Sequence, residues 1–147
     1  MKEKTGFTLL ELIIVLAIFA LLAGVTAVSL SSLNGEQALD KATLTVWSVL
    51  NAARSSAVSS KDASNQGVRI FSNQIVAFEG SYGTKNATTT FSNLIKISTS
   101  TGIGTDIIFQ ELFGNTTASG TITVSLKSNA SQNEIIRVYG TGAIEKK

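Results

Sequence analysis

The sequence predicts an α+β protein in which one long N-terminal helix packs on an antiparallel β-sheet domain. Three observations predict this fold class. An apolar run begins at Phe7, and beyond it apolar residues recur at three- and four-residue steps, as in an amphipathic helix. From Gly67 onward, short apolar runs alternate with turns rich in Gly, Ser and Asn. With 147 residues the chain is long enough for one domain rather than two.

The first element is an apolar helix over residues 7–30. Such a helix rises about 36 Å, which spans a bilayer core with a little tilt. Its 14 Leu, Ile, Val and Phe residues between Phe7 and Val28 favour membrane insertion by roughly 4–8 kcal/mol. Glu11 opposes insertion, but one acid costs only about 3 kcal/mol even at the bilayer centre. We therefore expect a transmembrane helix that tolerates Glu11.

The flanking charges predict the orientation of this helix. Lys2 and Lys4 precede it and the next basic residue is Lys41, so the positive-inside rule places residues 1–6 in the cytoplasm and the chain after about Ser31 outside. The alternative is a secretory signal peptide that is cut after Ala27. The acid within the apolar region and the length of that region argue against the alternative.

An amphipathic helix is predicted from about residue 36 to residue 60. Asn34-Gly35 marks a kink or flexible joint before it, and Arg54 is expected to be a solvated charge or a local ion-pair partner. Trp47 and Val49 widen the apolar stripe and are expected to join a core against the sheet. The stripe itself consists of Leu39, Ala42, Val46, Leu50, Ala53 and Ala57.

The β domain is predicted over about residues 67–147. Runs such as QIVAFE, TTFSNLIKIST and GTITVSLK predict strands with one buried face, and Gly102-Ile103-Gly104 is a turn between them. Tight hairpins are expected at Ser72-Asn73 and around Gly140–Gly142. The stretches 88–90 and 98–101 are interpreted as solvated loops.

Composition excludes several classes of site. The chain has no His and no Cys, which removes the commonest general base, thiolate zinc sites and disulfides. Its acids outside the helix lack calcium-loop spacing. We therefore expect no catalytic residue, no cofactor and no metal ligand, and a protein that is not an enzyme. A net charge of +2 gives no strong field for nucleic acid, although four cations near the C-terminus would form a basic surface if they converged: Lys127, Arg137, Lys146 and Lys147.

The string Lys4-Thr5-Gly6-Phe7-Thr8-Leu9-Leu10-Glu11-Leu12, followed by the apolar helix, resembles the type III signal of type IV pilins and pseudopilins. The resemblance implies that prepilin peptidase removes residues 1–6 by cutting between Gly6 and Phe7, and that Phe7 is then N-methylated. It also implies that Glu11 pairs with the new amine of a neighbouring subunit during assembly. The alternative for Glu11 is a carboxylate that reaches the lipid headgroups at the end of the helix.

A second resemblance covers residues 36–147. The chain is similar to the H-type minor pseudopilins of type II secretion and type IV pili in its small size, its lack of Pro and its helix followed by strands. This implies a pilin-like lollipop fold and a structural subunit that works with other pilin subunits, an inner-membrane assembly platform and secreted cargo. It also implies location in a prokaryotic cytoplasmic membrane and then in a filament. A major pilin and a DNA-binding minor pilin of a DNA-uptake system are the alternatives.

Overall fold

The computed structural model describes residues 7–59, 64–83 and 85–147, without the side chains of residues 25–32 and of Lys85. In this part of the chain one helix, α1 (Leu9–Val58), precedes eight strands. They are β1 (Gln66–Ile70), β2 (Gln74–Glu79), β3 (Lys85–Thr90), β4 (Ile95–Thr99), β5 (Asp106–Phe109), β6 (Gly120–Leu126), β7 (Asn133–Val138) and β8 (Ile144–Lys146). Antiparallel pairing joins the strands, and the predicted α+β class, with a helix packed on antiparallel sheets, is confirmed.

Helix α1 continues through Asn34 and Gly35 without a break, and the kink or flexible joint predicted there stays a prediction. A Gly inside a helix costs only about 1 kcal/mol relative to Ala, which a long helix can absorb. The chain divides into two compact units, of which the first ends at Glu36 and the second begins at Gln37. The predicted helix end, Ser60, lies outside the described residues, and α1 ends at Val58.

The second unit is built around the predicted apolar stripe of α1. All six of its residues, from Leu39 to Ala57, are buried, and they pack in one core with the inner faces of the strands. Two residues expected to widen this stripe behave differently. Val49 is only partly buried, and Trp47 is 39% exposed. One residue along a helix turns about 100°, so Trp47 lies at the flank of the stripe beside Val46. The prediction of a buried Trp47 was wrong.

A four-stranded sheet, called the first sheet, has the order β3-β2-β1-β5. The predicted hairpin at Ser72-Asn73 is confirmed, since Ile70 pairs with Ile75 across it. Alternation places Val68, Ile75 and Ile107 on the core face. On the outer face Arg69 donates two hydrogen bonds of 2.6 Å to Asp106, which raise the Arg69 pKa.

The other four strands form the second sheet, in the order β4-β6-β7-β8. The predicted hairpin around Gly140–Gly142 is confirmed: Tyr139 donates its backbone N–H to Ala143 at 3.0 Å, and Gly142 takes a φ of +80°. Ile122, Val124 and Ile136 fill the inner face. The strands therefore divide between two sheets that share one core with α1.

One strand prediction and one loop prediction were wrong, and a second loop prediction was partly wrong. The run TTFSNLIKIST was expected to be one strand, but β3 ends at Thr90 and β4 begins at Ile95 in the other sheet, with a turn at Asn93-Leu94 between them. Thr88 to Thr90 lie in β3 rather than in a loop, and Ser98 and Thr99 lie in β4. Thr is β-branched and favours extended backbone, so a polar Thr run is compatible with an edge strand.

Leu50→Ala is expected to destabilise the second unit by about 2–5 kcal/mol, because it leaves a cavity at a fully buried position. Leu44→Ala is the matched control on the same helix, since Leu44 is 53% exposed. Thermal unfolding of the full chain in detergent, followed by circular dichroism, measures both. Equal melting temperatures for the two variants would contradict the assigned core.

Candidate processing and assembly site

The start of α1 is fixed by Thr8. Phe7 and Thr8 precede the first helical residue, Leu9. The backbone N–H of Glu11 donates to the Thr8 hydroxyl oxygen at 3.3 Å, and the N–H of Leu12 donates to the Thr8 carbonyl at 3.2 Å. Thr8 is therefore the N-cap residue, and Thr8-x-x-Glu11 has the spacing of a capping box.

The predicted site residues lie around this cap. Gly6 falls outside the described residues. Phe7 is 81% exposed, and the peptide bond that joins it to Gly6 lies two residues before the helix begins. Glu11 is exposed in the first turn, where the positive end of the helix dipole favours a carboxylate. Phe7 and Glu11 are four residues apart, at the same end of α1.

Residues 7–24 present apolar side chains on every side of the helix. Each residue from Phe7 to Gly24 is exposed, including twelve large apolar side chains. Burying one such side chain contributes about 1.5–3 kcal/mol, so covering the whole set is worth roughly 20 kcal/mol or more. Among the described side chains, which omit residues 25–32, no helical stretch combines the length and the apolarity that crossing a membrane requires.

Glu11 is the only charged residue between Phe7 and Gly35 in the sequence. Any apolar environment that covers residues 7–24 on all sides therefore also encloses one carboxylate. A buried carboxylate that stays ionised needs a cation or several hydrogen-bond donors. Within residues 7–24 the arrangement places one negative charge, near the start of the helix, and no positive charge that could pair with it.

The basic residues near the C-terminus do not converge as a single surface. Lys146 lies on the opposite face of the second sheet from Arg137, because it pairs with Ile136 while Arg137 pairs with Glu145. Its Nζ lies 2.9 Å from a Glu134 carboxylate oxygen, and this ion pair raises the Lys146 pKa.

Lys127 lies apart from Lys146. It lines a shallow cavity of about 470 Å³ together with Lys96, which the sequence interpretation had not included. Hydroxyl-bearing residues complete this lining on the outer face of the second sheet, among them Ser98 and Thr123. The cations of this region are therefore divided between two places.

Arg54 has no ion-pair partner in the part of the chain that the structure describes. It is half-buried, and its Nε is buried without a hydrogen-bond partner. Its side chain packs beneath Gly114 and Gly142, where an added Cβ would meet it. Arg54 therefore packs under two turns, and of the two predicted roles the local ion pair is not formed with any described residue.

Three of the described acids outside α1 lie in separate pairs. Asp106 binds Arg69, Glu134 lies beside Lys146, and a Glu145 carboxylate oxygen accepts a hydrogen bond of 2.8 Å from the Tyr139 hydroxyl. Within the described residues no three acids come together as metal ligands would.

The first residues of the chain match a known family. The model of the family described as the prokaryotic N-terminal methylation motif matches residues 1–27. This match includes Gly6, Phe7, Thr8 and Glu11. No curated protein matches the chain significantly.

Solved structures share the fold of about three quarters of the chain. The type IV minor pilin FimU of Pseudomonas aeruginosa, in two crystal forms, gives TM-scores of 0.60 and 0.62 at 13% and 12% identity. These alignments cover 74% and 76% of this chain and 92% and 90% of FimU. The minor pseudopilin EpsH from the type 2 secretion system of Vibrio cholerae gives a TM-score of 0.60 at 11% identity, covering 74% of this chain and 95% of EpsH. The chain thus joins the N-terminal methylation motif to the fold of type IV minor pilins and minor pseudopilins, which confirms its resemblance to that superfamily.

Proposed function

We propose that the chain is a minor pseudopilin or pilin subunit without enzymatic activity, which is processed at its N-terminus and then assembled through its N-terminal helix into a filament. The observation that carries this proposal is the apolar surface that surrounds residues 7–24 and contains Glu11 as its only charge. An isolated subunit cannot cover that surface, but a membrane or a bundle of identical helices can. The N-terminal methylation motif supports the same interpretation.

Processing would occur at the bond between Gly6 and Phe7. A peptidase must bind this bond in an extended conformation, and Phe7 and Thr8 already lie outside the helix. Gly6 adds no side chain and allows many backbone conformations at the cut. Prepilin peptidase would remove residues 1–6 on the cytoplasmic side, and methylation of the new Phe7 amine would leave it positively charged.

Assembly would pair this amine with Glu11. Before assembly, residues 7–30 would anchor the subunit in the prokaryotic cytoplasmic membrane, with the second unit outside. In the filament, the Phe7 ammonium of one subunit would lie against the Glu11 carboxylate of its neighbour, where neither charge could be buried alone. The pair would set the register between subunits more than it would add stability.

The cap gives Thr8 and Glu11 separable roles. The Thr8 hydroxyl accepts the Glu11 N–H and fixes where the helix begins, whereas the Glu11 carboxylate supplies charge. Glutamine is also accepted at this position of a capping box. Glu11→Gln therefore removes the charge and retains the cap, while Thr8→Ala removes the cap and retains the charge.

The minor branch of the superfamily is favoured over the major one. FimU is a minor pilin and EpsH a minor pseudopilin, and the likeness to each covers 74% of this chain. We propose that this subunit contacts other minor subunits, the inner-membrane assembly platform and secreted cargo, in a type II secretion pseudopilus or a type IV pilus.

Mass spectrometry of the mature N-terminus tests the processing step. The chain is produced in one bacterial strain with a prepilin peptidase and in a matched strain without it. We expect the first residue to be N-methylated Phe7 in the former strain and the leader to be retained in the latter. A mature chain that begins at Val28 in both strains would instead indicate a secretory signal peptide.

Two alternatives have their own tests. A DNA-binding minor pilin would use Lys96, Lys127 and Arg137 on the outer face of the second sheet, and its binding would weaken steeply with salt. Retention on DNA at low salt and release at moderate salt would support it. A major pilin would instead be the most abundant protein of sheared filaments, whereas a minor subunit is expected to form a small fraction of them.

A further inference from the structure

We infer that the free edge of β3, together with the groove between β3 and α1, binds an extended segment of another polypeptide, which adds a strand to the first sheet. The segment places a small apolar side chain in the groove and an acidic side chain beside Lys41. This site lies wholly in the second unit. It goes beyond the proposed filament function, because neither Phe7 nor Glu11 takes part.

The backbone of β3 has one edge free. β3 is the end strand of the first sheet, and among the described strands only β2 pairs with it. Phe91 donates its N–H to the Asn73 carbonyl at 2.9 Å. This hydrogen bond determines which residues of β3 direct their backbone groups toward β2 and which direct them away. Thr89 and Ala87 therefore direct their N–H and C=O groups toward β2, and Asn86, Thr88 and Thr90 direct theirs away from it.

Most of this edge lacks the devices that usually protect an end strand. Natural edges carry charges, prolines or bulges that prevent pairing with other chains. The only charged residue of β3 is Lys85, at its first position, and residues 86–90 read Asn-Ala-Thr-Thr-Thr, with neither charge nor Pro. The opposite edge of the sheet differs, because β5 has only four residues and its last one, Phe109, is bridged to Thr116. The exposed edge of β3 is thus open to strand addition.

A groove of about 240 Å³ lies directly beside this edge. α1 contributes Ala38, Lys41, Ala42 and Thr45 to its lining, and the end of β3 and the turn after it contribute residues 89–92. An added strand presents alternate side chains to the same face as Thr89, and these side chains would enter the groove. Its volume is ample for an apolar side chain of the added strand, such as valine.

Lys41 gives the groove its charge preference. It is exposed, and within the described lining it is the only ionisable side chain. An acidic residue in the added strand would therefore be attracted, and a basic one repelled. Main-chain pairing along β3 would give affinity, while the groove and Lys41 would select the sequence. A second copy of β3 would offer threonines and Lys85 but no acid.

Fluorescence anisotropy with the full processed chain in detergent tests the proposal. The probe is a fluorescein-labelled synthetic peptide in which threonine alternates with valine, with one valine replaced by aspartate. We expect this peptide to bind, and Thr88→Pro to weaken binding by about tenfold or more, since proline removes an outward N–H. Thr88→Val keeps that N–H and is expected to bind within about twofold of the original chain.

Changes in the peptide test the same contacts without altering the protein. N-methylation of alternate peptide nitrogens blocks strand pairing and is expected to abolish binding. Replacing the aspartate with lysine is expected to weaken binding by about tenfold, and Lys41→Glu is expected to reverse that preference. This charge exchange is measured on the isolated chain and requires no filament. A negative result would therefore count against the peptide site and leave the proposed function in filament assembly unaffected.

Three outcomes would overturn the proposal. One is equal affinity of Thr88→Pro and Thr88→Val for the peptide. Another is undiminished binding of the N-methylated peptide by the unaltered chain, which decides the matter even where Thr88→Pro does not fold. The third is a dimer of the chain alone, seen by analytical ultracentrifugation and abolished by Thr88→Pro, since the occupant of the edge would then be a second copy.

Discussion

Replacing Glu11 with glutamine is expected to lower incorporation of the chain into filaments by roughly 100-fold or more, because removing one partner of a buried ion pair costs about 3–5 kcal/mol. The unpaired group would be the Phe7 ammonium of the neighbouring subunit. Glutamine has nearly the same size as glutamate and retains the cap at the start of α1. The measurement is the amount of the chain in sheared filaments relative to the amount in the membrane fraction.

Two control variants separate charge from helix capping. Thr8→Ala removes the hydroxyl that accepts the Glu11 N–H and costs about 1 kcal/mol of helix stability, which predicts a loss of assembly of roughly tenfold at most. Thr8→Ser keeps the hydroxyl and should assemble normally. If Thr8→Ala impaired assembly as severely as Glu11→Gln, the position of the helix start, and not the carboxylate, would be the controlling feature.

Gly6→Val is expected to slow removal of the leader by roughly 100-fold, so that the full-length chain accumulates in the membrane. A branched side chain beside the scissile bond restricts the backbone and displaces it from the geometry that cleavage requires. The measurement is the ratio of uncut to cut chain on an immunoblot after a short pulse of synthesis. Loss of assembly should follow, because the uncut chain has no free amine at Phe7.

Gly24→Val provides the matched control for Gly6→Val. Gly24 lies within α1, and a Cβ added there meets no atom within 4 Å. The same substitution at this position is therefore expected to leave cleavage unchanged. Normal cleavage of Gly6→Val would contradict the assigned cut site, and slow cleavage of both variants would indicate a general effect of valine on membrane insertion.

The buried stripe of α1 was predictable because a helix repeats every 3.6 residues. Leu39, Val46 and Leu50 share one face whatever lies against it, and all three are buried. Trp47 was mispredicted because apolar character alone does not decide which way a residue faces on a helix. It lies near the polar side and remains 39% exposed.

The division into two sheets could not be predicted from strand patterns. Alternation in β4 and β6 identifies a buried face, but it does not specify which strand pairs with which. The β3 segment was missed for a different reason. Its threonines lie at an edge and mostly face solvent, so β3 shows no alternation of apolar and polar residues.

The residues of the candidate site could not have been selected from hydrophobic periodicity alone. Gly6, Phe7 and Glu11 were selected through resemblance to a known signal, and their roles stay predictions. The cap at Thr8 was missed, although Thr8-x-x-Glu11 is a local pattern that marks the start of a helix. The groove beside Lys41 could not have been found in the sequence, since it depends on how β3 and α1 pack together.

A competition between two forms of the chain in one cell tests the central claim most directly. The unaltered chain and Glu11→Gln are produced in equal amounts, and quantitative mass spectrometry measures their ratio in membranes and in sheared filaments. We predict equal amounts in the membrane and depletion of the glutamine form from filaments by roughly 100-fold. Equal amounts of both forms in the filaments would contradict assembly by pairing of Glu11 with the Phe7 amine.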